Sequence, residues 1–327
     1  MMIPFLSLSD DKLWTILEAL EDSLTLSEIA KKTGLEKYTI SRKLSEIKSG
    51  KTNIRLRFEV NLEKNGFINV GIIGRKKIEI LPFLQSYREV RLLGRKMYLY
   101  TFLIPYDEDP LNEVFSNFEE DALTVRGLER KWWKVNSPAT IYMDKTVYGK
   151  LDNIELRREN PPTLPSREVD LDDVDVLLLW GKYRWPFTSM REIERESEKY
   201  LGRRISHQVL SWHFKRHFLK LWIGNRVWLY GDIEQMPYRL LYLEGRDSPY
   251  AARALVQLPW FHTAYIDYDK ALVSGQPPCP SMPHLYKSLG DLDVNVIDFS
   301  MEPSTLKWVP LFEILKRSLK KEEVTSR

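Results

Sequence analysis

Apolar residues recur at helical spacing near the start of the chain. Leu13, Ile16, Leu17 and Leu20, with Trp14 beside them, fall on one face of a helix over 10–22. A second helix starts at Thr25, where Thr25 and Glu28 have the capping-box spacing, and Gly34 permits the turn that ends it. A third, over about 36–48, carries Ile40, Leu44 and Ile47 as its buried stripe. Residues 53–60 then alternate polar and apolar, as a half-buried strand does. Three short helices and a strand is the order of a winged helix-turn-helix, whose third helix is sized for a DNA major groove.

The next stretch has a different rhythm. Residues 66–73 read as a strand, 77–84 as a short helix limited by Pro82, and 87–93 and 96–104 as strands joined across Gly94 and Arg95. Leu111, Val114, Phe115 and Phe118 mark a helix, and 131–135 a closing strand. That order is β-α-β-β-α-β, the ferredoxin-like split unit.

Both patterns return after a nearly constant shift. Ser189 and Glu192 repeat the capping box before Gly202, while Leu210, Ser211 and Phe214 stand 170 residues beyond Ile40, Ser41 and Leu44. Gly245 and Arg246 match Gly74 and Arg75 at a shift of 171, as Leu285, Tyr286 and Leu289 match Val114, Phe115 and Phe118. The second copy predicts strands over 238–243, 263–268, 271–274 and 294–299, with helices over 249–258 and 281–289. Between the copies, three prolines among polar residues at 157–167 make a semi-stiff linker. The expected architecture is α+β, a tandem repeat. It comprises winged helix-turn-helix units at 1–60 and 170–235, ferredoxin-like units at 61–150 and 236–303, a linker at 151–169 and a C-terminal helix at 304–327. That last segment carries Leu306, Trp308, Val309, Phe312, Leu315 and Leu319 as an amphipathic stripe for self-packing or dimerisation.

Composition narrows the classes. The 327 residues hold one cysteine, Cys279, which excludes an internal disulfide framework or a thiolate zinc site. The start of the chain has no signal-peptide pattern and no apolar run is long enough to span a bilayer, so the expectation is a cytoplasmic, nucleoid-associated protein without a membrane partner. No nucleophile elbow, phosphate loop, dinucleotide fingerprint or zinc-protease motif occurs, so the chain is expected not to be an enzyme and to need no cofactor. His213 and His217 have zinc-ligand spacing, yet no third ligand is evident nearby, and the expectation is no metal. Gly74-Arg75 and Gly245-Arg246 lie at equivalent turns that serve the fold, with anion binding as the alternative. The proline-rich segment 276–283 pins a turn or meets a partner.

The overall charge of +3 conceals segregation. Residues 31–57 carry nine bases against two acids, a net +7, and residues 201–230 carry six bases and no acid. Such patches supply the sequence-independent part of DNA affinity, whereas the remaining residues sum to −10. The candidate DNA-contacting residues of the first unit are Lys37, Tyr38, Thr39, Ser41, Arg42, Lys43, Ser45 and Lys48 on the third helix, with Arg55 and Arg57 on the wing. Those of the second unit are Arg203, Arg204, His207, Gln208, Ser211, Trp212, Lys215 and Arg216.

Residues 26–34 and 38–44, with the unit from Phe67 to Val135, resemble the leucine-responsive regulator (Lrp/AsnC) family of bacterial and archaeal transcription regulators. The resemblance implies winged helices followed by sheet domains that pair and oligomerise, with room for a small-molecule effector. On this reading the chain is a covalent pseudo-dimer, open to further homodimerisation, that regulates transcription by reading an asymmetric bipartite site on double-stranded DNA. The alternative is a protein-interaction adaptor of tandem winged helices serving the basal transcription machinery or a chromosome complex.

Overall fold

The structure, a computed structural model, describes residues 1–78, 81–156 and 159–325, the last seven of these by backbone alone. The fold is α+β. Part of the helix expected over 77–84 and the arginines that open the linker fall outside the described residues.

The chain opens with β1 (Met2–Ser7), α1 (Asp11–Leu20), α2 (Leu26–Thr33), α3 (Lys37–Lys48) and β2 (Ile54–Val60). The helix ends are set by local chemistry. The Asp10 carboxylate accepts the Leu13 amide at 3.0 Å, the Thr25 hydroxyl accepts that of Glu28, and Gly34 takes the left-handed conformation at φ +70°. Then come β3 (Phe67–Gly74), β4 (Leu84–Leu92), β5 (Arg95–Pro105), α4 (Glu108–Phe115), β6 (Leu123–Gly127), β7 (Glu129–Lys131), β8 (Thr140–Met143) and β9 (Thr146–Lys150).

The second half holds α5 (Asp173–Arg184), α6 (Met190–Leu201), α7 (His207–His213), a π-helical turn (Phe214–Phe218), α8 (Leu219–Leu221) and β10 (Trp222–Leu229). It continues with β11 (Arg239–Glu244), α9 (Ser248–Leu255), β12 (Phe261–Ile266), β13 (Lys270–Gly275), α10 (Met282–Leu289), β14 (Asn295–Met301), β15 (Lys307–Trp308) and α11 (Leu311–Thr325).

One ten-stranded sheet runs β6-β3-β5-β4-β14-β11-β13-β12-β7, with β15 beside β4. It folds back so that its two ends face each other. A Cβ built on Gly71 of β3 would lie 2.3 Å from Leu272 Cδ1 of β13, so glycine is what allows the layers to close. Ile73, Val90, Leu99, Val125, Tyr242, Leu272 and Phe299 fill the space between them. Helix α4 covers one outer face, and α9 and α10 the other.

The two wings are not free arms. β2 and β10 pair antiparallel, Leu56 opposite Val227 and Arg57 opposite Arg226, into one two-stranded ribbon. One ribbon face is apolar and shared by both helical units. Ile54, Leu56, Val227 and Leu229 join the core of α1–α3, while Phe58 and Val60 join that of α5–α7 and α11. The other face presents Arg55, Arg57 and Glu59 from β2 and Arg226 and Trp228 from β10, by the period of two.

Candidate functional site

The polar face of that ribbon looks onto the folded sheet, and the residues collected there are of two kinds, guanidinium and aromatic. Arg57 is held between rings, its Cζ 4.1 Å from the Tyr183 centroid and 4.4 Å from that of Trp228. Arg226 Cζ lies 4.2 Å from the Trp228 centroid as well, and Arg55 Cζ 5.2 Å from that of Tyr230. Tyr230 packs on Tyr238 and His262, at 6.3 and 5.2 Å between centroids. From β4, Arg88 brings a further guanidinium into the field of Tyr238, Tyr230 and Tyr265.

The charges do not balance. Glu59 is buried and shared, bonded by Arg130 at 2.6 Å and by Arg226 at 3.2 Å. Burial opposes its charge, but Arg130, Arg226 and Arg57 hold its carboxyl below the ordinary range. Glu63, the other acid nearby, is pushed up by burial. Among the described residues no carboxylate pairs with Arg55, Arg57 or Arg88. Burial pushes Arg226 down to about 10 and lowers Arg88 as well. His262 is driven down to about 4, mainly by burial, and its Nε2–H donates to the Leu229 carbonyl at 3.0 Å. It is therefore neutral near pH 7, with Nδ1 as the unprotonated nitrogen. The Nε atoms of Arg226 and Arg130 and the Trp228 indole N–H are buried donors with no partner among the described residues. Concentrated, underpaired guanidinium beside flat rings suits a planar ligand that bears several carboxylates.

A separate cavity of about 620 Å³ lies beneath the proline-rich segment 159–166 and shares Arg130 with the cluster, together with Trp132, whose ring lies 5.6 Å from Arg130 and 5.8 Å from Arg226. Its other charged walls are mixed, with Arg253 and Lys131 against Glu129 and Glu159.

The residues expected to contact DNA are scattered by this arrangement. Lys37, Tyr38, Ser41, Arg42, Ser45 and Lys48 are exposed on α3, Thr39 is half-buried, and Lys43 is buried with its amine 2.6 Å from Asp10. Arg55 is exposed beside the Tyr230 ring, and Arg57 is half-buried between Tyr183 and Trp228 in the arginine–aromatic cluster. In the second unit Arg203 and Arg204 pair with Asp173 and Glu194, at 2.8 and 3.1 Å. His207, Gln208, Trp212, Lys215 and Arg216 are exposed, Ser211 is half-buried, and Arg216 lies over the Trp212 ring. Arg88, Arg130, Trp228, Tyr230, Tyr238, His262 and Tyr265 were not singled out by motif. The alternation of Arg226, Trp228 and Tyr230, along β10 and just past its end, is the signal that points to two of them.

No family model and no curated protein sequence matches the chain. Among solved structures, it is similar to the siroheme decarboxylase NirDL in complex with an iron-uroporphyrin III analogue. The TM-score is 0.51 at 11% sequence identity, over 97% of this chain and 99% of that one. The two share a fold from end to end. A second NirDL structure gives 0.48, over 89% and 91%.

This similarity overturns the functional expectations drawn from the sequence. A chain with the duplicated helix-turn-helix pattern over its whole length has the fold of an enzyme, so the pattern does not carry the Lrp/AsnC-like transcription regulator. The expectations of a double-stranded DNA partner, of the basal transcription machinery and of a protein that is not an enzyme fall with it, and the adaptor reading gains nothing. The physical reason lies in the ribbon: the two wings pair with each other, and Arg57 and Arg226 pack among rings and beside Glu59 instead of projecting from free arms. No helix among the described residues is long and apolar enough to cross a membrane.

Proposed function

We propose that the chain binds a tetrapyrrole bearing several carboxylates, of the siroheme or iron-uroporphyrin class, and catalyses loss of carbon dioxide from its side chains. The observation that carries this reading is the guanidinium excess: among the described residues Arg55, Arg57 and Arg88 have no carboxylate partner, and Arg130 and Arg226 share Glu59. The ligand class is taken from the structural neighbour's bound analogue.

In this reading the arginines fix the ring by its carboxylates, and Trp228, Tyr230 and Tyr238 provide flat apolar contact. Each reaction breaks one carbon–carbon bond, releases carbon dioxide and places a proton on the carbon left behind. Burial raises the Tyr230 and Tyr238 hydroxyls, so both stay protonated at neutral pH and are the acids at hand. The tandem organisation, with units at 1–60, 61–150, 170–235 and 236–303, a linker at 151–169 and a C-terminal segment at 304–327, belongs to the same proposal. It sets the cluster where both halves meet.

The test is incubation of the full chain with siroheme under anaerobic conditions, followed by mass spectrometry. A product short of one or more carbon dioxide units, absent with Tyr230→Phe/Tyr238→Phe, is the expected result. Unchanged siroheme in the presence of measurable binding would leave a carrier and refute the enzyme.

A further inference from the structure

A second cluster stands apart from the arginines, at the junction of α5 with α7 and its π-helical turn. Asp175 lies on an otherwise apolar stretch of α5, between Val174 and Val176, and is fully buried. His213 Nδ1 is 3.0 Å from its Oδ1 and His217 Nδ1 is 2.8 Å from its Oδ2. The three ligand-type atoms all lie within 4.8 Å of one another. Asp172 Oδ1 stands 3.6 Å from His213 Nδ1, at the solvent side. The imidazole planes are nearly perpendicular, at 89°, and Trp212 presents an edge contact to each ring.

We propose that Asp175, His213 and His217 form a binding site for a divalent transition-metal ion of the zinc class, with Asp172 able to close it. Two imidazole nitrogens and a carboxylate are a ligand set that such ions favour. Two atoms bound to one ion at zinc-like lengths span at most roughly 4.2 Å, and the carboxylate–imidazole separations fall inside that limit. The π-helical turn begins at Phe214, between the two histidines, and single π turns often mark functional positions. Asp175 is already oriented by the Asp172 amide, which donates to Oδ2 at 3.1 Å, so one ligand is held before the ion arrives. Its role would be a clip between the first and third helices of the second unit, independent of the arginine–aromatic cluster.

The competing arrangement is a closed hydrogen-bonded triad in which both Nδ1–H groups donate to Asp175 and no ion enters. The full chain, stripped with chelator and dialysed against buffered zinc, decides between them. The expected result is one retained equivalent per chain, a raised thermal midpoint, and for cobalt(II) a visible absorption band of low-coordinate geometry. His213→Ala/His217→Ala should lose the equivalent, or bind at least about 100-fold more weakly. If that pair fails to fold, His217→Asn, at the more exposed ligand, serves in its place with the same readouts. No retained zinc in the parent chain, or the same equivalent retained by the folded variant, would overturn the site.

Discussion

Arg57 is the residue on which the proposed ligand site turns most simply. It is sandwiched by Tyr183 and Trp228, is half-buried, and pairs with no carboxylate among the described residues. Arg57→Met keeps the stem and removes the charge, so folding should be retained. Affinity for a carboxylate-bearing tetrapyrrole should drop by about 1.5–3 kcal/mol, roughly ten- to a hundredfold, as read by absorption titration. Arg226 is a different case, because its removal would strand Glu59 with Arg130 alone and cost about 3–5 kcal/mol of stability. A third residue reports on pH. Glu21 accepts the Val135 amide at 2.6 Å, and burial raises its carboxyl from 4.5 to about 7. The folded chain thus holds a proton that the unfolded chain releases, and stability from this group falls as pH rises from about 4.5 to 7. Glu21→Gln should flatten that fall and raise stability at pH 8 by about 1–2 kcal/mol, discounted for partial exposure, in denaturant melts at several pH values.

At the scale of elements, Gly71 tests how the two layers of the sheet meet. A side chain there collides with Leu272 and approaches Tyr265, so Gly71→Val should cost about 1–3 kcal/mol, and Leu272→Ala in the same chain should restore part of it. The helices of both units were legible because caps and periodicity are local: Thr25 with Glu28, Ser189 with Glu192, Gly34 and Gly202 each act within a few residues. The strands β11 to β14 were legible for the same reason. What failed depended on distant partners. β1 pairs with β9 across most of the first half, and no local pattern announces it. The strand expected over 131–135 stops at Lys131, where β7 joins β12, while Trp133 and Val135 turn into the core of the first helical unit. The residue following Pro82, Phe83, adopts φ +57°, which no continuing helix allows. Charge misled for a related reason. A count along the sequence cannot see Asp10 beside Lys43, or Glu59 beside Arg226, and so includes paired or buried bases with exposed ones such as Lys37 and Arg42 in a single patch.

For the whole molecule, the proposed site lies where the two halves of the chain meet and is complete in neither. Each helical unit contributes one strand of the ribbon, and each half of the sheet contributes residues beneath it: Arg88 and Arg130 from the first, Tyr238, His262 and Tyr265 from the second. The same pairing leaves neither strand as a free wing. Binding of a tetrapyrrole polycarboxylate at this junction is the claim on which the rest depends. Its most direct measurement is an absorption titration of the full chain with iron-uroporphyrin III, alongside the Arg57→Met/Arg88→Met variant. The account predicts a saturable Soret shift at one equivalent, weakened at least tenfold in the variant while its thermal midpoint stays near that of the parent. No saturable shift, or equal affinity in a folded variant, would contradict it.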